Sequence, residues 1–122
     1  MGNHKRIAVD FLEMVTAGNI EKAYEHVDMK GRHHNPYTPA GMPALKKGMQ
    51  DNDAMFPLKR FNIKHVLEDG NMVSVHSHLI LKPGELELSV VHLLQFEGNK
   101  IVEFWDFATQ VPKEAVNQDG MF

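Results

Sequence analysis

Two titratable residues stand inside apolar runs near the C-terminal end of the chain. His92 interrupts the apolar run 90–94, and Asp106 lies between two aromatic residues in the run 101–108. Burial in such surroundings shifts the pKa of an imidazole or a carboxylate towards values useful for proton transfer. Asp106 is therefore a candidate general base for a carbonyl substrate, and His92 a candidate hydrogen-bond donor to the developing enolate oxygen. The alternatives are a structural carboxylate and a satisfied core histidine.

The two runs predict the strands of a β-hairpin. Gly98 and Asn99, between Glu97 and Lys100, are typical turn residues. Folding the chain there places His92 opposite either Trp105 or Asp106, depending on whether the hairpin contains a bulge.

Three further features of the sequence are candidate parts of a pocket. His76 and His78 share one face of a predicted strand, 72–82, and at least one of them is expected to line a pocket. His-x-His is also a possible half of a metal site, which His34, His92 and Asp106 could complete, but we predict no metal. The methionines suit an adaptable core or a permissive lining for a hydrophobic ligand. Trp105 is either core or a pocket wall.

The elements that must position these residues follow from hydrophobic periodicity. Helices are predicted over 4–17, about 19–29 and 40–56, and strands over 59–68, 72–82, 85–96 and 101–111. We therefore expect a single domain, 1–122, that is mainly helical to residue 58, an antiparallel sheet over 59–111 and irregular over 112–122. This order predicts an α+β fold, in which helices cover one face of a curved sheet and enclose a pocket.

Composition excludes several classes of function. The 122 residues include no cysteine, which excludes disulfides, thiol catalysis and zinc–thiolate sites. A net charge of −3 without a basic cluster gives no reason to expect nucleic acid as a partner. The N-terminal residues lack the apolar core of a signal peptide, and no apolar run is long enough to cross a membrane, so a cytoplasmic protein is expected.

Four short segments, in order, resemble the SnoaL-like proteins of the NTF2-like superfamily. They are His34-Asn35-Pro36 followed by Gly41, Asp69–Val73 followed by His76, Gly98–Asp106, and the tail from Asn117 to Phe122. The resemblance covers nearly the whole chain. It implies an NTF2-like or cystatin-like cone with three N-terminal helices on a curved sheet of four to five antiparallel strands.

The resemblance also implies a function. In the polyketide cyclases of this family, an aspartate on the last strand is the general acid and base of an aldol closure, near a histidine on the preceding strand and without metal or cofactor. Asp106 and His92 occupy the matching positions. We therefore expect aldol-type cyclisation, isomerisation or a related lyase step on a small hydrophobic carbonyl compound, with a non-catalytic binding protein as the alternative. The expected substrate-binding residues are His34, His76, His78, Trp105, Phe104 and Met49.

The tail from Asn117 to Phe122 resembles a SnoaL-like subgroup predicted to catalyse aldol condensations, but the chain departs from much of that subgroup at three positions. His92 and Gln95 stand where an aspartate and an arginine are usual, and Phe104 stands where a histidine is usual. The exchange at 92 resembles the cyclases. Apolar residues on both faces of strands 86–96 and 101–107 predict a homodimer that buries the outer face of the sheet.

Overall fold

The computed structural model describes residues 3–122. Its helices are α1 (Asn3–Thr16), α2 (Ile20–Ala23) and α3 (Met42–Met55), and a 3₁₀ turn, Tyr24–His26, follows α2. Its strands are β1 (Val27–His33), β2 (Arg60–Asp69), β3 (Met72–Lys82), β4 (Leu86–Glu97) and β5 (Lys100–Gln110). The predicted α+β class is confirmed, and residues 1 and 2 of the predicted domain lie outside the described residues.

The five strands form one sheet in the order β1-β5-β4-β3-β2. β2 to β5 are consecutive antiparallel neighbours, as predicted, whereas β1 runs parallel to β5. The sheet is therefore mixed, and the expectation of a purely antiparallel sheet was wrong.

The predicted second helix, 19–29, is the largest error in the secondary structure. Only Ile20–Ala23 is α-helical, and the chain is already extended in β1 from Val27. Ile20 and Ala23 are buried, but Val27 pairs with Ile101 of β5. The tertiary pairing outweighs the local helical pattern here, as is common for short apolar segments.

The hairpin of β4 and β5 turns at the predicted pair Gly98 and Asn99, with Gly98 at φ 59°. Next to the turn, Phe96 pairs with Ile101, but Gln95 pairs with Glu103. Val102 is therefore an extra residue in β5, a β-bulge that shifts the register of the rest of the strand by one.

The core lies between the helices and the inner face of the sheet. Phe11 of α1 is buried against Phe104 of β5, with their ring centroids 6.1 Å apart, and also contacts Tyr24. Val75 of β3 and Leu94 of β4 are fully buried on this face. The amphipathic helix predicted near the N-terminus is confirmed, because its Phe11 belongs to the core. No helix within residues 3–122 is long and apolar enough to cross a membrane.

Candidate active site

Two adjoining cavities open on the inner face of the sheet. The first, about 250 Å³, lies against α1 and α3, and the second, about 630 Å³, extends along β4 and β5. The residues that line both cavities are Asn35, Tyr37, Asn52, Leu79, His92 and Asp106. The polar side chains among them thus stand where the two spaces meet, and apolar side chains such as Leu12, Leu45 and Val90 form much of the remaining wall.

His92 and Asp106 are direct neighbours across the hairpin and both line the two cavities. The side chains are nevertheless not hydrogen-bonded to each other: the side-chain donor to Asp106 is Asn35, and His92 has no side-chain partner within residues 3–122. The pair predicted from the sequence is therefore close in register, but it is not an ion pair.

His92 is held in its neutral form. Burial lowers the pKa of its imidazole to about 4, and Nδ1 is buried without a hydrogen-bond partner. The ring lies among aromatic side chains, with its centroid 5.4 Å from that of Phe104 and 6.3 Å from that of Phe61. Because a buried N–H without an acceptor is rarer than a buried lone pair, the proton belongs on Nε2. Nε2 is thus the ring atom that can donate to a ligand.

Asp106 is a half-buried carboxylate with one fixed oxygen. Burial raises its pKa, an effect that is opposed by the hydrogen bond from Asn35. The Nδ2 of Asn35 donates to Oδ2 of Asp106 over 3.0 Å. Oδ1 has no side-chain donor within residues 3–122, so it is the oxygen available to a ligand.

The orientation of Asn35 is fixed by its own contacts. The backbone N–H of Tyr37 donates to Oδ1 of Asn35 over 2.8 Å, which leaves Nδ2 as the donor to Asp106. The backbone N–H of Asn35 donates to Nδ1 of His33 over 3.1 Å, and Nε2 of His33 donates to the carbonyl oxygen of Pro39 over 2.7 Å. His33 is buried, and these two hydrogen bonds anchor the loop that supplies Asn35.

His76 and His78 lie on the opposite face of the sheet from the cavities, contrary to the expectation that they line the pocket. Their neighbour Val75 faces the core, so strand alternation turns both histidines outward. His76 contacts His65 and Ser89, and Nε2 of His78 lies 2.7 Å from Oε1 of Glu87. Both rings also stack on Phe122, the C-terminal residue.

His34 and Trp105 also lie away from the cavities. Nε2 of His34 is 2.7 Å from Oε2 of Glu103, and its ring stacks on Trp105 with the centroids 5.0 Å apart. Trp105 pairs with Leu93, on the face opposite to that of Asp106. The expected pocket roles of His34 and Trp105 were therefore wrong: strand alternation turns Trp105 to the outer face, and His34, just beyond the end of β1, stacks on it there.

Phe104 and Met49 differ in their position relative to the cavities. Phe104 is a core residue, 1% exposed, which touches His92 but does not line either cavity. Met49 lines the first cavity, where its Sδ accepts a hydrogen bond from the hydroxyl of Tyr24.

The alternative metal site is not assembled. The sheet separates His76 and His78 from His92 and Asp106, and the described residues contain no group of three or more histidine or acidic side chains that could hold a metal ion.

Several cavity residues were missed from the sequence. Asn52 lies in the last turn of α3, Lys59 directly precedes β2, and Phe61 and Leu79 pair across β2 and β3. Nothing in the periodicity separates these residues from the surface or from the core. Asn35 could have been found, since it stands in the His-Asn-Pro segment, but its contact with Asp106 spans 71 positions.

With this geometry in place, comparison with known proteins assigns the fold to a family. The SnoaL-like domain family matches residues 8–104. This chain belongs to the SnoaL-like domain family. The matched region contains Asn35 and His92 and ends two residues before Asp106. No curated protein matches the chain.

Solved structures of the same fold come from proteins with different proposed activities. IdmH, a proposed polyketide cyclase from Streptomyces antibioticus, is 15% identical with a TM-score of 0.73, covering 88% of this chain and 92% of IdmH. A proposed ketosteroid isomerase from Kribbella flavida is 15% identical with a TM-score of 0.74, covering 95% and 84%. An NTF2-like protein of unknown function from Cytophaga hutchinsonii is 13% identical with a TM-score of 0.72, covering 89% and 92%. At these identities the similarity shows the fold alone.

Proposed function

We propose that this SnoaL-like protein is a cofactor-independent acid–base catalyst that acts on a small hydrophobic carbonyl compound. The reaction class is aldol-type cyclisation, isomerisation or a related lyase step, each of which begins by moving a proton next to a carbonyl group. The observation that supports it most is the placement of Asp106 beside a neutral His92 where two largely apolar cavities meet.

Asp106 acts as the base and then as the acid. Its Oδ1 removes the proton from the carbon next to the carbonyl group, and the electron pair of that C–H bond forms the enolate. Because burial raises the pKa of the carboxyl group, the carboxylate is a stronger base than a free aspartate. Once protonated, it can return the proton to the product. Asn35 keeps the carboxylate in place by holding Oδ2.

His92 donates a hydrogen bond to the enolate oxygen. Because its pKa is lowered to about 4, the imidazole is neutral at pH 7 and offers Nε2–H as a donor rather than a positive charge. A fixed donor in a largely apolar cavity stabilises developing charge more than the same donor does in water. The arrangement thus divides the work: Asp106 moves the proton, and His92 binds the oxygen.

The test is α-proton exchange in D₂O. 1-Indanone, 2-tetralone and 4-phenyl-2-butanone are incubated with the protein, and the loss of the α-proton signal is followed by NMR. We expect the wild type to accelerate exchange for at least one ketone, and Asp106→Asn to reduce that acceleration by about 10²–10⁴-fold.

Asp69→Asn is the matched control, because it makes the same exchange at an exposed position at the end of β2. This variant should keep the wild-type rate. Ketone binding that shifts cavity resonances without any exchange above the buffer rate would contradict catalysis and favour a non-catalytic binding protein.

The predicted homodimer remains part of this proposal. Val91, Leu93 and Trp105 are only partly buried on the outer face of the sheet, where a second copy could cover them. Sedimentation equilibrium would give a mass of twice 13.9 kDa if the dimer forms. A concentration-independent mass of one chain would refute it.

A further inference from the structure

A buried lysine faces the same cavity as Asp106. The side chain of Lys59 is only 3% exposed, and it lines the first cavity together with Asn52, His92 and Asp106. Lysine is among the residue types that are almost never buried without a partner. Neither Lys59 nor Asn52 takes part in the proton transfer proposed for Asp106 and His92.

The partners of Lys59 satisfy its ammonium group only in part. Within residues 3–122, Nζ donates to Oδ1 of Asn52 over 3.3 Å and lies 3.5 Å from Oδ1 of Asp53. The second distance is well beyond the 2.7–2.9 Å that is typical of a charge-assisted hydrogen bond. Asp53 is also 38% exposed, so water weakens its attraction. An ammonium has three N–H donors, and at least one remains for a ligand.

Asn52 adds a second donor at the same place. Its Oδ1 accepts from Lys59, so its Nδ2 group is free to donate, and the residue lines both cavities. A positive charge and an amide donor thus stand together on the cavity wall. Anionic oxygen groups are the ligands that such a pair recognises.

We propose that Lys59 and Asn52 bind an anionic oxygen group, such as a carboxylate, on the substrate. The inference deepens the proposed function, on which it rests: the substrate is a hydrophobic carbonyl compound that carries an acidic group. Its anionic end lies against Lys59, its apolar body against side chains such as Leu12, Val15 and Leu45, and its carbonyl end against His92 and Asp106.

The test compares carboxylates with their neutral carboxamides. The probes are 3-benzoylpropanoate, naphthalene-2-carboxylate and biphenyl-4-carboxylate, each with its carboxamide, titrated at pH 7 by calorimetry. We expect the wild type to bind at least one carboxylate about tenfold or more tightly than its carboxamide, and Lys59→Met to abolish the difference. Lys59→Arg should preserve part of it.

Matched controls separate the charge from the fold. Lys82→Met removes an exposed lysine that pairs with Glu85 on the surface, and it should leave the preference unchanged. Unchanged carboxamide affinity in Lys59→Met would show that the cavity is intact. If Lys59→Met does not fold, ¹⁵N NMR of the lysine ammonium groups in the wild type replaces it, with a shift of the Lys59 signal expected for the carboxylate alone.

Two outcomes would overturn the inference: no carboxylate binds more tightly than its carboxamide, or the preference survives Lys59→Met. Asp106→Asn distinguishes this result from a failure of the proposed function. A carboxylate preference that persists in Asp106→Asn, with no proton exchange in the wild type, would leave an anion-binding pocket without catalysis. Ketone exchange that depends on Asp106, in a protein that binds no carboxylate more tightly than its carboxamide, would leave catalysis without the anion site.

Discussion

Asp106 lies directly opposite His92 because Val102 is inserted as a bulge in β5. Without the bulge, the pairing of Phe96 with Ile101 would continue unshifted, and His92 would face Trp105. A shift of one residue exchanges the two faces of a strand. The bulge therefore decides that a carboxylate, rather than an indole, faces the cavity.

The neutral state of His92 predicts a loss of stability in acid. The unfolded chain binds a proton at His92 near pH 6.5, whereas the folded protein resists protonation until about pH 4. The unfolded state therefore binds more protons in this window, so the free energy of unfolding falls as the pH falls from 6.5 towards 4. The difference of about 2.5 between the two pKa values corresponds to a loss of roughly 3 kcal/mol in the free energy of unfolding. Urea unfolding at several pH values measures it.

The control for this prediction is a pair of histidine variants. His92→Leu should flatten the pH dependence between 4 and 6.5, whereas His26→Leu, in the 3₁₀ turn outside the cavities, should retain it. Equal slopes for the wild type and His92→Leu would mean that the imidazole is not held neutral by burial.

Asp106→Asn should stabilise the protein while it removes the base. Burial raises the pKa of the carboxyl group, so the charged form at pH 7 is disfavoured in the folded state, and this cost grows as the pH rises through the raised pKa. A neutral amide avoids the cost, and its oxygen can still accept from Asn35. We expect a gain on the order of 1 kcal/mol in urea unfolding at pH 7. Asp69→Asn, the control, should change the free energy of unfolding by less than about 0.5 kcal/mol. If Asp106→Asn were less stable than the wild type, burial of the charged carboxylate would not carry this cost.

Asn35→Ala should raise the pKa of Asp106. The hydrogen bond from Asn35 favours the charged carboxylate, and its loss leaves the effect of burial less opposed. A ¹³C NMR titration of the Asp106 carboxyl group should shift to higher pH, and the acidic limb of the exchange rate should move with it. Asn62→Ala, at an exposed position of β2, should shift neither. An unmoved carboxyl titration would show that Asn35 only shapes the loop.

The sequence predicts the fold because most of its elements are specified locally. The hairpin at Gly98 and Asn99 and the amphipathic pattern around Phe11 depend on turn chemistry and on hydrophobic periodicity, which a short window contains. β1 is different: the burial of its residues does not follow their order along the strand, and Val27 pairs with Ile101, which is distant in the sequence. Such a strand can be recognised only after β5 has a place in the sheet.

The candidate site is predicted less completely than the fold. Asp106 and His92 stand out because a titratable residue inside an apolar run is unusual. The outward placement of His76 was not foreseen, because alternation says which residues share a face but not which face meets the helices. From the sequence alone, Lys59 is expected on the surface, because nothing local shows that the end of α3 and the start of β2 lie beside the cavity.

Gly31 of β1 packs closely against the backbone of the bulge residue Val102. A Cβ added at Gly31 would collide with the backbone carbonyl group of Val102, which cannot move without disturbing β5. We expect Gly31→Ala to lower the free energy of unfolding by about 1–3 kcal/mol, as overpacking commonly does. Gly48→Ala is the matched control. Gly48 lies within α3, and its new methyl group would meet Thr38 at an ordinary distance of 3.6 Å.

The control should be more stable than the wild type by roughly 0.5–1 kcal/mol, since alanine favours helix interiors over glycine. Opposite signs for the two variants in urea unfolding would support the close approach of Gly31 to Val102. If Gly31→Ala were as stable as the wild type, β1 would not pack against the bulge as described. The bulge would then have to hold the register of Asp106 without support from the neighbouring strand.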